Sequence, residues 1–228
     1  MYAGSVVENF DWGPGVPGRE LFVSGGLIDG IRVQSGTAVL KDTGKAQSTF
    51  SGAGGPGRGV LMMKGASCAS GFVYPVSGIT VAKAEGRFYP GVTTKGVRGF
   101  WLGVQSVAAD KSLFNNQLTD HLFAQLNPEG AVIFRSVIGG VTNNAETTDG
   151  RILFSPGDLV KMELTVNTAE KTATVKVTGA GKDNVKVRTL KWISGKIPDW
   201  GMIMINQTGD GELRLDSVEA RTEPAIVG

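Results

Sequence analysis

The residues best suited to chemistry lie on the predicted strand Val97–Gln105. Its alternation assigns one apolar set to the core, namely Phe100, Leu102 and Val104. Trp101 and Gln105 lie on the opposite face. Gly99 and Gly103 stand two residues before and after Trp101, so no neighbour on the same strand covers its ring. A flat apolar ring beside open backbone suits stacking against the C–H face of a sugar. The alternative is that Trp101 fills a second core layer and that the glycines relieve crowding.

The predicted hairpin His121–Val137 offers polar groups at matching alternation. Leu122, Ala124 and Leu126 are assigned to the core, which leaves His121, Phe123 and Gln125 on the other face. Arg135 on the returning strand falls on that same side. Amide and guanidinium groups beside an aromatic ring are typical of sugar hydroxyl recognition. We therefore predict a ligand-binding face made of Trp101, Gln105, His121, Phe123, Gln125 and Arg135. For His121 alone, an ordinary surface or hydrogen-bonded histidine is the alternative.

A third alternating segment, Ala84–Pro90, adds Glu85, Arg87 and Tyr89 on one face. Their side chains have the donors and acceptors that a ligand would need, and we include all three among the predicted ligand-binding residues. The alternative is an ordinary ion pair between Glu85 and Arg87 along the strand.

The sequence contains no paired carboxylates of the kind that glycosidases use. Those enzymes place two carboxyl groups about 5–9.5 Å apart. Glu212 and Asp216 are four residues apart, which corresponds to ~13 Å along an extended strand. Arg214 lies between them on the same face and is expected to hold them as ion pairs. We therefore predict no glycosidase activity of this type.

Two other catalytic arrangements lack a supporting motif in the sequence. A polysaccharide lyase could use His121 as base, Arg135 as charge neutraliser and Tyr89 as acid, although the sequence contains no recognisable lyase motif. A nucleophilic triad is unsupported because no Gly-x-Ser-x-Gly motif occurs and the chain has a single histidine. We expect a protein without catalytic residues.

Composition excludes several functional classes. The chain has 228 residues, and 23 Lys+Arg against 21 Asp+Glu give a net charge of +2, which argues against a nucleic-acid binder. Its 34 glycines follow no three-residue period and apolar residues make up 41%, so neither collagen nor disorder fits. No apolar stretch approaches the ~20 residues of a membrane-spanning helix. The start, Met1–Ser5, lacks a basic region followed by an apolar core, so no secretory signal is predicted, whether or not Met1 is native.

The pattern along the chain predicts an all-β protein. Two antiparallel hairpins are clear, one at Asp158–Thr178 and one at His121–Val137 with the turn Asn127–Gly130. Glycine-rich and polar runs at Ser51–Arg58 and Val141–Gly150 are predicted loops within a single domain that spans 1–228. This spacing is typical of a sandwich or barrel. Further strands are predicted at Leu27–Gln34, Gly59–Met63, Ile79–Tyr89, Val97–Gln105, Val185–Trp192, Trp200–Asn206 and Glu212–Glu219.

Residues 96–220 resemble concanavalin-A-like jelly rolls, the superfamily that includes lectins, glucanases and laminin-G-like modules. In the segment Phe154–Gly179, a Gly-Asp pair opens a long strand and a second strand ends at glycine, as in that superfamily. The hairpin at Asp120–Arg135 is similar to the strand pair that precedes it, and Glu212–Glu219 is similar to the closing strand. The resemblance implies an antiparallel two-sheet jelly-roll sandwich with one concave sheet.

The resemblance leaves three functions open. The first is a carbohydrate-binding or adhesion module that uses the aromatic and polar concave face, with a polysaccharide or glycan as partner. The second is a structural subunit of a surface or virion assembly, which would bind itself or other subunits. The third is a polysaccharide-cleaving enzyme. By analogy of fold, an extracellular, cell-surface or virion location is favoured.

No cofactor is predicted apart from a structural calcium ion, which this fold would accommodate through carboxylates. Asp216 on the closing strand, together with Glu8 or Asp11, is the candidate ligand set. A zinc site built on Cys and His is excluded, because Cys68 and His121 are the only residues of their kinds.

Overall fold

The computed structural model describes residues 5–8, 38–42, 47–51, 60–64, 67–74, 76–92, 99–106, 120–146, 150–192 and 200–223. Within these ranges the chain forms strands and turns and no helix, which confirms the all-β prediction. No helix in the described part is long and apolar enough to cross a membrane. The strands are β1 (Ser5–Glu8), β2 (Ala38–Asp42), β3 (Gln47–Ser51), β4 (Val60–Lys64), β5 (Ser67–Val73), β6 (Ile79–Tyr89), β7 (Gly99–Ser106), β8 (His121–Leu126), β9 (Val132–Ile138), β10 (Val141–Glu146), β11 (Leu159–Asn167), β12 (Thr172–Thr178), β13 (Val185–Lys191), β14 (Trp200–Thr208) and β15 (Glu212–Glu223).

The strands form two antiparallel sheets that pack face to face. The eight-stranded sheet has the order β13-β12-β11-β6-β15-β4-β3, with β1 also paired to β15. The seven-stranded sheet has the order β10-β9-β8-β7-β14-β5-β2. Consecutive strands β6 and β7 belong to different sheets. This arrangement confirms the predicted two-sheet jelly-roll sandwich.

The core between the sheets follows the predicted alternation. On β7, Phe100, Leu102 and Val104 are fully buried. The Phe100 ring faces Phe88 of the other sheet, with 6.5 Å between ring centroids. The β8–β9 hairpin supplies the predicted core side chains Leu122, Ala124 and Leu126. The β11–β12 hairpin buries every second residue of its strands: Val160, Met162, Leu164, Val166, Ala173, Val175 and Val177.

Both predicted hairpins form, and local polar contacts fix their ends. At the β8–β9 turn, Oδ1 of Asn127 accepts a hydrogen bond from the backbone N–H of Ala131 at 2.8 Å. Before β11, Oδ2 of Asp158 accepts from the N–H of Ser155 at 2.7 Å, and Gly157 adopts a φ of +89°. The Gly-Asp pair therefore opens β11 through a turn that requires the left-handed conformation of glycine.

One predicted loop is a strand. The polar segment that begins at Val141 forms β10, which pairs with β9 from Val141 opposite Ile138 to Glu146 opposite Ile133. The two-residue connection is Gly139–Gly140, with φ values of +59° and +79°, which suit a tight hairpin turn. Because β10 ends the strand order of its sheet, it can form from polar residues without apolar alternation. The predicted strand Leu27–Gln34 and residues 52–58 of the other predicted loop lie outside the described residues.

The outer face of the eight-stranded sheet carries a network of ion pairs. Nζ of Lys83 lies 3.7 Å from Glu163 and 3.4 Å from Glu219, and Lys161 lies 3.5 Å from Glu85. Burial alone would raise the pKa of Glu219, but hydrogen bonds and charges from Arg221 and Lys83 outweigh it and lower that pKa. Glu219 is therefore ionised near neutral pH.

Candidate functional site

Strand register brings the first predicted set of residues together on the outer face of the seven-stranded sheet. Across β7 and β8, Trp101 lies opposite Gln125, Gly103 opposite Phe123, and Gln105 opposite His121. Arg135 on β9 lies opposite Phe123. The predicted grouping of these side chains is therefore confirmed, and it follows from the two-residue period of each strand.

Three rings on this face form a row. The Trp101 and Phe123 ring centroids lie 4.3 Å apart with 25° between the planes, and those of His121 and Phe123 lie 5.6 Å apart at 11°. Met204 on β14 completes a small apolar cluster with Trp101 and Phe123, separate from the main core. Aromatic pairs at such distances attract one another, which favours this arrangement of the rings.

The predicted exposure of this face is wrong. Only 5% of Trp101 and 2% of Phe123 is exposed, and His121 is 3% exposed. Gln105 and Gln125 are buried as well. The indole therefore belongs to a second buried layer, which was the alternative interpretation of the strand. A sugar has no access to it for stacking.

The glycines of β7 support this interpretation. A Cβ atom on Gly103 would lie 2.6 Å from the carbonyl oxygen of Leu122 and 2.7 Å from Cβ of Phe123. At Gly99, with a φ of +147°, a Cβ would collide with the carbonyl oxygen of Leu126. These glycines leave room for the neighbouring strand and for Phe123.

Arg135 marks where the row reaches the surface. Its side chain is half-buried, as are those of Ile133 and Val137 on either side. Its Nε atom is buried and has no hydrogen-bond acceptor among the described residues. On β10, the exposed Thr142 lies opposite Val137 on the same face. This border, defined by Arg135 and Thr142, offers a guanidinium and a hydroxyl next to the buried aromatic row.

The second predicted set lies on the opposite side of the sandwich. Glu85, Arg87 and Tyr89 are on β6, on the outer face of the eight-stranded sheet, because Phe88 and Ala84 point into the core. They cannot share one ligand face with Trp101, and in this respect the combined site prediction is wrong. The lyase arrangement is also not assembled, since His121 and Tyr89 belong to different sheets.

The contacts of this second set do not include the ion pair between Glu85 and Arg87 that was the alternative interpretation. Glu85 pairs with Lys161 of β11 rather than with Arg87. A terminal nitrogen of Arg87 donates to the carbonyl oxygen of Gly157 at 3.1 Å. The guanidinium of Arg214 lies over the Tyr89 ring, 4.8 Å from its centroid. The sequence interpretation did not assign Arg214 to any ligand site, since only the β6–β15 register brings it there.

Of the carboxylates compared with a glycosidase pair or predicted as calcium ligands, those that the structure describes lie on β15 and β1. Nε of Arg214 lies 2.5 Å from Oε1 of Glu212, as expected for an ion pair on this strand. Asp216 lies at the irregularity between Leu215 and Ser217 of β15, while Glu8 of β1 pairs opposite Val218. Asp11 lies outside the described residues. In the part of the chain that the structure describes, no group of three or more His, Cys, Asp or Glu could hold a metal ion.

Comparison with known proteins identifies the fold. Neither a sequence model of a known family nor a curated protein matches the chain. Among solved structures, arcelin-5, a lectin-like defence protein from Phaseolus vulgaris, is similar, with a TM-score of 0.55 and 10% identity over 97% of this chain and 99% of that one. The basic lectin of winged bean has a TM-score of 0.55 at 6% identity, covering 97% and 100%. The acidic winged bean lectin has a TM-score of 0.54 at 7% identity, covering 96% and 100%.

The chain therefore has the concanavalin-A-like fold of the legume lectins. The likeness extends well beyond residues 96–220, to which the sequence resemblance was confined. At such low identity it establishes the fold and leaves the ligand to be argued from the residues.

Proposed function

We propose that this protein is a non-catalytic glycan-binding protein, whose ligand contacts the border of the seven-stranded sheet at Arg135 and Thr142. The observation that carries the proposal is the buried Nε of Arg135, which has no acceptor among the described residues. A buried donor without an acceptor is costly, and a sugar oxygen would satisfy it. The buried rings of Phe123 and Trp101 then act as a rigid support for Arg135 and make no contact with the sugar.

The structural neighbours support glycans as the ligand class. The acidic winged bean lectin was solved with methyl-α-D-galactose and the basic one with Tn-antigen. Since the likeness covers 96–97% of this chain, we also propose that residues 1–228 form one domain.

Arg135→Gln is expected to weaken glycan binding about tenfold or more, because hydrogen bonds from a charged donor contribute about 1.5–3 kcal/mol. A glycan array identifies a bound sugar, and calorimetric titration then compares the variants. Arg151→Gln is the matched control, since Arg151 is exposed and its NH1 donates only to the carbonyl of Glu129. Equal affinity of Arg135→Gln and the unmodified protein would contradict the proposed border, and an array without signal would contradict glycan binding.

A specific observation favours a second function, that of a subunit in a surface or virion assembly. Strands β10 and β13 end their sheets on the same side of the sandwich, where β13 contacts β9. Each carries an exposed valine, Val141 on β10 and Val187 on β13. Exposed apolar residues on edge strands are typical of contacts with another chain. Light scattering on the preparation used for the array distinguishes the two functions. A ring or lattice that binds no sugar would support the function of an assembly subunit.

A further inference from the structure

Two arginines face each other on the outer face of the eight-stranded sheet. Arg87 on β6 lies directly opposite Arg214 on β15. Like charges directly opposite in a sheet destabilise it. Every other cation of β6, β11 and β15 has a carboxylate partner: Lys83, Lys161 and Arg221 are all paired, as is Arg214 with Glu212. Among the described residues, Arg87 has none.

Both side chains are held in place from the protein side. Arg214 is fixed by Glu212 at its Nε and by the Tyr89 ring beneath its guanidinium. Tyr89 is itself packed against the turn before β11, where a Cβ on Gly157 would lie 2.9 Å from the ring. Arg87 is tied to the carbonyl of that same Gly157. These contacts use Nε of Arg214 and one NH1 bond of Arg87, and leave the remaining guanidinium donors for a ligand.

The neighbouring carboxylates are occupied. Glu85 pairs with Lys161, and Asp158 accepts the backbone N–H of Ser155. Together with Glu212, the two guanidinium groups therefore carry a net positive charge beside the ion pairs of β6, β11 and β15. Guanidinium groups bind carboxylates and sulfates through paired, parallel hydrogen bonds.

We propose that Arg87 and Arg214 form a binding site for an oxyanion, the carboxylate or sulfate group of an acidic polysaccharide. The spacing of charge on this face selects that class over nucleic acid. A nucleic-acid surface needs a run of cations for successive phosphates, whereas here the other cations of β6, β11 and β15 are each paired with a carboxylate. The site is on the opposite side of the sandwich from Arg135 and does not depend on the glycan border proposed there.

The test measures binding of polygalacturonate and of dextran sulfate by affinity electrophoresis, with inorganic sulfate alone as a third arm. Arg87→Gln is expected to weaken polymer binding at least tenfold, and added salt is expected to weaken binding of the unmodified protein. Lys176→Gln is the matched control, because it removes one positive charge from an exposed side chain on the same sheet face. Its affinity is expected to stay within twofold of the unmodified protein.

Several outcomes would overturn the proposal. The first is that the unmodified protein binds neither polymer, and the second is that Arg87→Gln binds as tightly as the unmodified protein. The third is that Lys176→Gln loses as much affinity as Arg87→Gln, which would indicate general charge attraction. If inorganic sulfate bound and neither polymer did, the ligand of the site would be a free anion and not a polysaccharide. A thermal melt guards against misfolding: removal of one of two opposed like charges is expected to leave the Tm of Arg87→Gln unchanged or raised. A loss of binding together with a lowered Tm would count against the site.

Discussion

Trp101→Ala is expected to lower the free energy of unfolding by about 3–5 kcal/mol, the usual cost of removing a large buried aromatic side chain. The indole is 5% exposed and stacks on Phe123 at 4.3 Å, so its removal leaves a cavity beside Phe123 and Met204. Since total stabilities are about 5–15 kcal/mol, this loss is large. Urea denaturation followed by circular dichroism measures it.

The control for this variant is Val187→Ala on β13, an apolar truncation at an exposed position. It is expected to change stability by no more than about 0.5 kcal/mol. Trp101→Phe, which keeps a ring in the stack, is expected to lose less than Trp101→Ala. A cost below about 1 kcal/mol for Trp101→Ala would mean that the indole lies open to solvent, as the exposed-shelf interpretation of this strand requires.

Phe100→Ala is expected to cost a similar amount, about 3–5 kcal/mol. Phe100 precedes Trp101 and points to the other side of β7, where it is fully buried against Phe88 of the eight-stranded sheet. Antiparallel sheets commonly have one solvated face, and truncation on that face is cheap. Large losses at both adjacent positions would therefore show that the seven-stranded sheet is buried on both sides.

The same urea titrations test this second variant, with Val187→Ala again as the exposed control. If Phe100→Ala were as stable as Val187→Ala, the core between the two sheets would be wrongly assigned.

Sequence reasoning succeeded where the signal is local. The β11–β12 hairpin follows from alternation between Leu159 and Thr178, and the β8–β9 hairpin from the turn at Asn127. Alternation also assigned Trp101 to the face opposite Phe100. It carries no information on what covers that face, because a row of glycine and aromatic residues suits both a ligand shelf and a second packed layer.

Long-range pairing limited the prediction of the site. Met204 reaches Trp101 only because β14 pairs with β7, and the two residues are far apart in sequence. Consecutive strands usually lie side by side, yet β6 and β7 belong to different sheets. For that reason Tyr89 and Trp101 are on opposite sides of the molecule, although twelve residues separate them in sequence.

Hydroxyl-radical footprinting read by mass spectrometry tests the central claim most directly, because it reports the solvent access of individual side chains on both faces of the seven-stranded sheet. We expect Trp101 to be oxidised as slowly as the buried core residue Trp192, and Phe123 as slowly as Phe100, with half-exposed Tyr89 reacting faster than the buried rings. Rapid oxidation of Trp101 and Phe123 beside protected Trp192 and Phe100 would contradict the account.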